Sequence, residues 1–469
     1  MLVFIAIGGI AASVLIGWFR VLESNGRRHT IFVVLAVAYI FEAVTMPNAS
    51  SVSFGLMRPR LRGQDFRPVD FVLFAALAVR VLSPPRNTVT RVGLVWTPFI
   101  MLYGTGVIAS AAAGLPFAQV LFQAKLLLYL AGGAVVASGM AVERISPSLS
   151  RTARLLAPLV LFGMFVSLTS TNISVSTPVQ RFPQLGQYSN DTITMFVVIG
   201  TAALVCELVS ERRRFSVMVA SVVLMAAPLA GDQRASYLTL VACGAGFIVV
   251  LIGPSLRHRA RLGAVHIGLG LSAFVAVAAV ALAFGFVSSI VRDAFAGESN
   301  TESAEARVSL YEESMSLIGQ HVWIGSGVGS QVETTKPATG DELVTTAHNV
   351  LLDVWTRIGL VGLVFFAGAF LATVAIGVRI WRNASDDAAA AVAIGAVLAM
   401  FGWLAKAMVE PGLDKFRLSL ILGVSVGALA AASRATALRN TQATAERVRG
   451  SEPDHRRQRA TYPMVSDRR

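Results

Sequence analysis

The stretch LVGLVFFAGAFLATVAIGV, Leu360 to Val378, runs for nineteen residues without a charged side chain. A helix needs roughly 20 apolar residues to cross the hydrocarbon core of a bilayer, so this stretch predicts a membrane span. Similar runs recur along the chain, which has 469 residues, of which 55% are hydrophobic and only 14% charged, with a mean hydropathy of +0.65. The sequence therefore predicts an all-α, polytopic membrane protein.

Apolar runs of spanning length predict about 12–13 transmembrane helices within a membrane domain over residues 1–433. The basic segment after it, residues 434–469, is expected to be a disordered tail. The runs are Leu2–Phe19, Ile31–Met46, Val69–Leu82, Leu94–Ala113, Phe117–Ala141, Leu155–Thr169, Thr192–Val209, Phe215–Leu229, Tyr237–Gly253, Val265–Val287, Val350–Val378, Ala388–Leu404 and Leu418–Ala432.

Basic residues cluster in alternate loops of the second half of the chain. Basic loops are retained in the cytoplasm, so these loops indicate the orientation. The longest loop on the opposite side, residues 288–347, carries nine acidic residues against Arg292, Arg307 and Lys336. We therefore expect this loop to lie outside the cytoplasmic membrane, and the tail to lie inside. The basic loops of the inner side contain Arg144, Arg151, Arg154, Arg212, Arg213, Arg214, Arg257, Arg259, Arg261, Arg379 and Arg382.

The net charge of +13 is explained by this topology and not by nucleic-acid binding. One stretch departs from the rule, because Arg58, Arg60, Arg62 and Arg67 fall outside if every early run spans the membrane. Either the first runs are miscounted, or this stretch forms a partly buried hairpin.

Four cationic or titratable residues, Lys125, Arg234, Arg307 and His348, lie within or beside apolar runs on the predicted outer half. A charge near the bilayer centre costs roughly 2.5–3.5 kcal/mol, so such residues usually serve a function. The alternatives remain open. Arg234 and Arg307 are also compatible with solvated loop charges, Lys125 with a snorkelling side chain or a helix-end partner, and His348 with a structural role.

The long loop contains a helix pattern, since Val308, Tyr311, Met315 and Ile318 repeat at helical spacing. We expect a short amphipathic helix whose apolar stripe rests on the membrane surface. The GSGVGS segment that follows, residues 325–330, predicts a flexible turn and matches neither a phosphate-binding P-loop nor a GxSxG elbow.

Neither a metal nor a cofactor is expected. Cys206 and Cys243 both lie inside apolar runs, which favours packing roles over a disulfide or a metal cluster. The predicted outer side has no DxD-like acidic pair, because Asp386 and Asp387 fall on the predicted inner side.

Three motifs follow one another in the second half of the chain. They are GDQRASY from Gly231, ARVSLYEESMSLIGQHVWIGSGVGS from Ala306, and AHNVLLDVWTRIGLVGLVFF from Ala347. This order resembles the O-antigen ligase and O-antigen polymerase superfamily, and it covers about Phe215 to Ser433. The family's HNxxL motif and its following glycines match His348, Asn349, Leu352, Gly359 and Gly362. The chain departs from the family where Thr356 and Arg357 replace an acidic residue, and where QRAS replaces SRG.

The resemblance implies a GT-C-like membrane fold and a metal-independent glycan transfer. The donor would be a glycan on a polyprenyl diphosphate carrier, and the acceptor a hydroxyl group at the outer face of the membrane. Arg234 and Arg307 would stabilise the diphosphate leaving group through their paired donors. His348 would act as general base, since histidine titrates near neutral pH. The substrate-binding candidates are Lys125, which would compensate phosphate charge, Asn349, which would fix the histidine ring, and Tyr311.

Two other functions fit many helices and intramembrane cations. A transporter or flippase of lipid-linked glycans would favour internal inverted repeats, and no convincing repeat is evident. A peptidoglycan-type glycosyltransferase would need a catalytic outer aspartate, for which Asp293 or Asp341 would have to serve. The acceptor, and with it the choice between ligase and polymerase, stays open.

Overall fold

The computed structural model of the protein describes residues 16–18, 20–21, 60–61, 64–65, 68–82, 90–170, 190–209, 214–230, 234–252, 298–335, 342–345, 347–384, 386–410, 412–413 and 416–451. Helices occupy most of them. In chain order they are α1 (Pro68–Leu82), α2 (Arg91–Ala112), α3 (Phe117–Ser138), α4 (Val142–Ser170), α5 (Asn190–Val209), α6 (Phe215–Met225), α7 (Arg234–Ile252), α8 (Glu298–Gln320), α9 (Val350–Asn383), α10 (Asp387–Ala407) and α11 (Phe416–Ser451).

Among these residues six helices, α2, α3, α5, α9, α10 and α11, are long and apolar enough to cross a membrane. Three shorter helices, α1, α6 and α7, are also apolar. The predicted all-α, polytopic membrane fold is confirmed. The predicted runs Ile31–Met46 and Val265–Val287, and most of Leu2–Phe19, lie outside the described residues, so the total of 12–13 helices remains a prediction.

Helix α10 is the centre of the bundle, and α5, α7, α9 and α11 pack around it. Its sequence begins with a run of alanines, and small residues allow membrane helices to approach closely. Gly402 shows this need for space, because a Cβ there would meet Val198 of α5 at 3.2 Å and Thr239 of α7 at 3.3 Å.

The four surrounding helices run opposite to α10. On α5, Val198 lies beside Gly402 whereas the later residue Ala202 lies beside Gly395, so the order along the two helices is reversed. On α9, the rings of Phe366 and Phe370 pack against Trp403. The starts of α5, α7, α9 and α11 therefore surround the end of α10. We call this end of the bundle the loop end, and the opposite end, where α11 continues to Ser451, the tail end.

Helix α9 is broken at Gly359, whose backbone has φ 71° and ψ −176°. A continuous helix would bond the carbonyls of Thr356 and Arg357 to amides four residues later. Here Ser326 N donates to Thr356 O at 2.6 Å and Gly327 N to Arg357 O at 3.1 Å. In return the Leu360 amide donates to Val322 O at 2.8 Å. The segment Gly325–Ser330, which we call the glycine turn, thus replaces the hydrogen bonds that the break removes.

The glycine turn is held in place, so the prediction of a flexible turn is wrong. Gly325, Gly327 and Gly329 all adopt positive φ, at 74°, 102° and 108°. Glycine adopts this left-handed region without the steric cost that other residues incur. A Cβ on Gly325 would also overlap the backbone of Arg357, which explains why the glycine turn can lie directly on α9.

Short strands also occur. The sequence did not indicate the pair that follows the glycine turn. Strand β3 (Val332–Thr335) pairs antiparallel with β4 (Glu342–Thr345), with Val332 opposite Thr345. Near the start of the described chain, β1 (Arg60–Leu61) pairs with β2 (Gln64–Asp65). The β1–β2 pair lies in the arginine-rich stretch for which a partly buried hairpin was one of two interpretations.

Helix α11 continues through residues 434–451, which were expected to belong to a disordered tail. On this extension Arg439 contacts Asp386 at 3.1 Å and Glu143 at 3.6 Å. Arg434 donates to the carbonyl of Ser138. These contacts join α11 to the first residues of α4 and α10, and they explain why the helix does not stop at the end of its apolar run.

Replacing Gly359 by alanine should destabilise the protein by at least about 2 kcal/mol, because alanine disfavours positive φ and its Cβ would overlap Trp323 O. The matched control is Gly368→Ala in the same helix, where a Cβ meets nothing within 4 Å. Thermal unfolding in detergent measures both. Equal unfolding midpoints for the two variants would contradict the account of the break.

Candidate active site

Three of the residues that the sequence singled out, Arg234, His348 and Asn349, lie at or directly before helix starts at the loop end. Arg234 is the first residue of α7, and Arg307 lies within α8. His348 and Asn349 immediately precede α9, and both are half-buried. Lys125 lies on α3, two turns from its start.

Asn349 ties the start of α9 to the end of α10. Its side-chain oxygen caps α9 by accepting from Leu351 N at 2.9 Å and Leu352 N at 3.3 Å. Its amide nitrogen donates to Met408 O at 3.2 Å. The amide is therefore engaged by backbone as a cap and a link, and its role in fixing the ring of His348 remains a prediction. His348 is thereby placed beside the end of α10.

The β3–β4 hairpin brings His348 close to the glycine turn. Seventeen residues separate Ser330 from His348, yet the pairing of Val332 with Thr345 brings the two flanking segments side by side. Sequence patterns missed this hairpin. The β-branched residues of VETT and ELVT are a usable signal, although four residues are too few to identify a strand securely.

Arg234 lies at the same depth as Lys406. On α7, Thr239 packs beside Gly402 of α10. Arg234 precedes Thr239 by five residues, which is about 7.5 Å along α7. Lys406 follows Gly402 by four residues, which is about 6 Å along α10. The two helices run in opposite directions, so both displacements point toward the loop end.

Lys406 and Glu410 form a buried ion pair that sequence reasoning missed. Lys406 Nζ lies 2.9 Å from Glu410 Oε1, with the lysine side chain fully buried and the glutamate side chain 13% exposed. Their i,i+4 spacing directly after an apolar run is the signal that was available. Because Asn349 bonds to Met408, this pair lies next to the segment that carries His348.

Helix starts and ion pairs meet at the loop end. The starts of α5, α7, α9 and α11 meet there, and each helix start carries a partial positive charge. At the outermost turns Arg417 of α11 pairs with Asp191 of α5 at 3.3 Å. At α9 the first amides are bonded to Asn349, and Asp353 lies in the first turn of the same helix.

Helix α8 packs against β3 and α9, but with a different face from the predicted one. Leu310, Ser314 and Ile318 are buried. Of the predicted stripe, Ile318 is buried and Tyr311 half-buried, whereas Val308 and Met315 are 54% and 51% exposed. The stripe is therefore divided between an inner face and an outer face.

A buried polar network supports the glycine turn from the other side. Gln123 of α3 accepts from Gly329 N at 2.5 Å and donates to Ser330 O at 3.2 Å.

Arg357 pairs with Asp353 at 2.7 Å within α9, and its Nη1 lies 3.5 Å from the hydroxyl of Tyr103. Arg357, a departure from the family pattern, thus fills a structural position at the break.

Lys125 has an acidic partner. Its ammonium lies 3.1 Å from Asp70 Oδ2 of α1, and Tyr129 donates to Asp70 Oδ1 at 2.6 Å. Both side chains of the ion pair are 4% exposed. The charge of Lys125 is therefore neutralised within the protein, which favours a role in joining α1 to α3. Its assignment to substrate binding remains a prediction.

The fold is that of a multi-pass membrane protein in which α5, α7, α9 and α11 all begin at one end of the bundle. Residues 219–367 match the model of a protein family described as O-antigen ligase, which confirms the resemblance to that superfamily. The match runs from α6 through the glycine turn and the His348 segment into α9. A search of curated proteins found no match to the chain. Among the described residues, no three His, Cys, Asp or Glu side chains cluster closely enough to hold a metal ion.

Removing one partner of the Asp70–Lys125 pair should cost about 3–5 kcal/mol, because it leaves an uncompensated buried charge. We expect Lys125→Met to lower the unfolding midpoint strongly and the double variant Asp70→Asn, Lys125→Met to regain most of the loss. Glu143→Gln, which breaks a half-exposed contact with Arg439, is the control and should cost less than about 1 kcal/mol. If the double variant is stable but inactive, Lys125 binds substrate after all.

Proposed function

We propose that the protein is a bacterial membrane glycosyltransferase of the O-antigen ligase type. It moves a glycan from a polyprenyl diphosphate carrier to an acceptor hydroxyl at the outer face of the cytoplasmic membrane, in the synthesis of a cell-surface or exported polysaccharide. The observation that carries this proposal is the meeting of four helix starts, Arg234 and the His348 segment around the end of α10.

The diphosphate of the donor binds at the loop end. Helix starts supply oriented amides, and Arg234 begins one of those helices. Arg307 belongs to α8, the helix that packs against β3 and α9. In this proposal both arginines stabilise the charge that develops on the leaving diphosphate, without a divalent metal.

His348 acts as general base. It takes the proton of the acceptor hydroxyl, whose oxygen then bonds to the anomeric carbon of the donor glycan as the bond from that carbon to the diphosphate oxygen breaks. The electron pair of the broken bond stays on the diphosphate, which leaves with its polyprenyl chain. Attack from the face opposite the leaving group inverts the anomeric centre. The acceptor is a sugar chain, a cell-wall polymer or another hydroxyl carrier.

The orientation of the bundle supports an outer-face reaction. The first turns of α4, the start of α6 and the last turn of α9 lie at the tail end and carry Arg144, Arg214 and Arg382. Positively charged segments are retained in the cytoplasm, so the tail end is inner and the loop end is outer. A lipid-linked donor reaches this position with its diphosphate at the surface and its chain in the bilayer.

His348→Ala and His348→Gln should each lower the transfer rate about 100-fold to 10,000-fold, the usual contribution of a general base. Binding of the polyprenyl diphosphate donor should change little. His321→Ala is the matched control, since His321 is exposed in the same loop. The assay is glycan transfer by purified protein, with donor binding measured in parallel. Near wild-type rates in both His348 variants would remove His348 from the mechanism.

Arg234→Lys and Arg307→Lys should impair transfer substantially, because lysine keeps the charge but loses the paired donors of the guanidinium group. Arg382→Lys, an exposed residue at the tail end, should be silent. A chelator should leave the wild-type rate unchanged. Full activity of both loop-end variants would mean that these arginines are only solvated charges in loops. Loss of activity with a chelator, followed by its restoration with magnesium, would indicate a metal-dependent transferase.

A further inference from the structure

Two large apolar side chains project from the protein directly before the glycine turn. Trp323 is 66% exposed and Ile324 is 78% exposed. Among the described residues, none forms a hydrogen bond or a ring contact with the Trp323 side chain. Single exposed apolar residues are ordinary, but two large ones side by side indicate contact with another molecule. We call Trp323 and Ile324 the exposed pair.

The backbone beside the exposed pair is held by hydrogen bonds. Val322 O accepts from Leu360 N at 2.8 Å and from Trp355 Nε1 at 3.0 Å. On the other side, Gly325 N donates to His321 O at 2.9 Å. The two side chains therefore project from a defined position next to the break in α9.

Helix α9 gives the depth of the exposed pair in the membrane. The charge-free run Leu360–Val378 is bounded by Arg357 on one side and by Arg379 on the other. Its nineteen residues measure about 28 Å as a helix, close to the roughly 30 Å of bilayer hydrocarbon. Leu360 therefore marks one boundary of the hydrocarbon, and the exposed pair is attached at this boundary through Val322.

Helix α2 gives the same depth independently. It starts at Arg91 in the tail half of the bundle, where Trp96 donates to Thr373 Oγ1 at 2.8 Å. Ser110 lies nineteen residues after Arg91, which is about 28 Å along the helix. A Cβ on Gly327 would meet Ser110 Oγ at 2.8 Å, so the glycine turn lies level with Ser110. Two helices thus place the glycine turn where hydrocarbon gives way to headgroups.

The surfaces on either side of the exposed pair differ in character. Helix α8, which precedes the pair, exposes Glu312 and Ser316 beside Met315, so this face of α8 suits water. Helix α9 continues from the same boundary into the membrane with a row of exposed apolar side chains. They are Val361, Val364, Phe365 and Leu371. The exposed pair therefore continues the lipid-facing surface of α9 up to its edge.

We propose that Trp323 and Ile324 insert between the phospholipids of the leaflet at the loop end and anchor the glycine turn to the membrane. Tryptophan is enriched at membrane interfaces, because its ring is apolar while its N–H donates to polar groups of the interface. Ile324 contacts the first methylenes of the acyl chains. The anchor holds the glycine turn, and with it the break in α9, at a fixed depth. This inference concerns contact with bulk lipid and does not depend on the proposed reaction.

Tryptophan fluorescence in liposomes tests the position of Trp323. The chain has six tryptophans, so the difference between wild type and Trp323→Phe isolates the emission of Trp323. Phosphatidylcholine brominated near the glycerol end of its chains should quench this emission at least about twofold more than lipid brominated near the chain ends, since indole rings lie at headgroup level. Aqueous iodide should quench it weakly. Trp403→Phe is the control, because Trp403 is fully buried and its emission should respond to none of these quenchers.

Three results of the fluorescence measurement would overturn the anchor. Quenching by iodide alone would show that Trp323 faces water. Quenching mainly from the chain ends would place it in the middle of the bilayer. Protection from every quencher would show that a protein partner or a second copy of the chain covers the exposed pair.

A spin label at position 324 tests the same claim without altering Trp323. Cys206 and Cys243 are buried, so an added surface cysteine can be labelled selectively. Oxygen concentrates in lipid and a nickel chelate in water, and each shortens the relaxation of a label that it can reach. The label on Ile324→Cys should respond mainly to oxygen, and the label on the control Ser316→Cys mainly to the nickel chelate. The same response to the chelate at both positions, or shielding of position 324 from both reagents, would contradict the anchor.

Discussion

A helix inside a bilayer must satisfy every backbone hydrogen bond within the protein, because lipid offers no partners. Helix α9 breaks this pattern at Gly359, and the structure around the candidate site follows from how the break is sealed. Ser326 and Gly327 donate to the carbonyls that the break exposes, and Val322 accepts from Leu360. The end of α8 and the glycine turn are thereby fixed to α9. Through the β3–β4 hairpin, the same attachment positions the segment that carries His348.

The second organising feature is the alanine-rich helix α10. Its small residues let four helices approach closely, and all four begin where α10 ends. This geometry has an electrostatic consequence, since the positive ends of four helices face one surface. The pairs Lys406–Glu410 and Arg417–Asp191 keep the charged side chains of this region compensated. The paired carboxylates make these cations tolerable within a largely apolar bundle.

Composition and hydropathy were sufficient to predict the membrane fold and to place His348 and Asn349 at the point where the loop re-enters the bundle. They were not sufficient for features that depend on contacts between distant segments. The break at Gly359 is invisible in a continuous apolar run, and the glycine turn has its meaning only when it lies on that break. Lys125 and Arg357 carry charges that hydropathy flags as costly, but only the structure supplies Asp70 and Asp353 as partners. The helical periodicity around Tyr311 predicted α8, yet it could not say which face another element would cover.

The central claim is that the loop end breaks and forms glycosidic bonds, and does not move an intact lipid-linked glycan across the membrane. The most direct measurement uses purified protein in liposomes with a polyprenyl diphosphate-linked glycan, labelled in both the glycan and the lipid, and a hydroxyl acceptor. The account predicts that free polyprenyl diphosphate is released in equal amount to glycan joined to the acceptor. Transfer of the doubly labelled donor from one leaflet to the other, with no release of polyprenyl diphosphate, would contradict it.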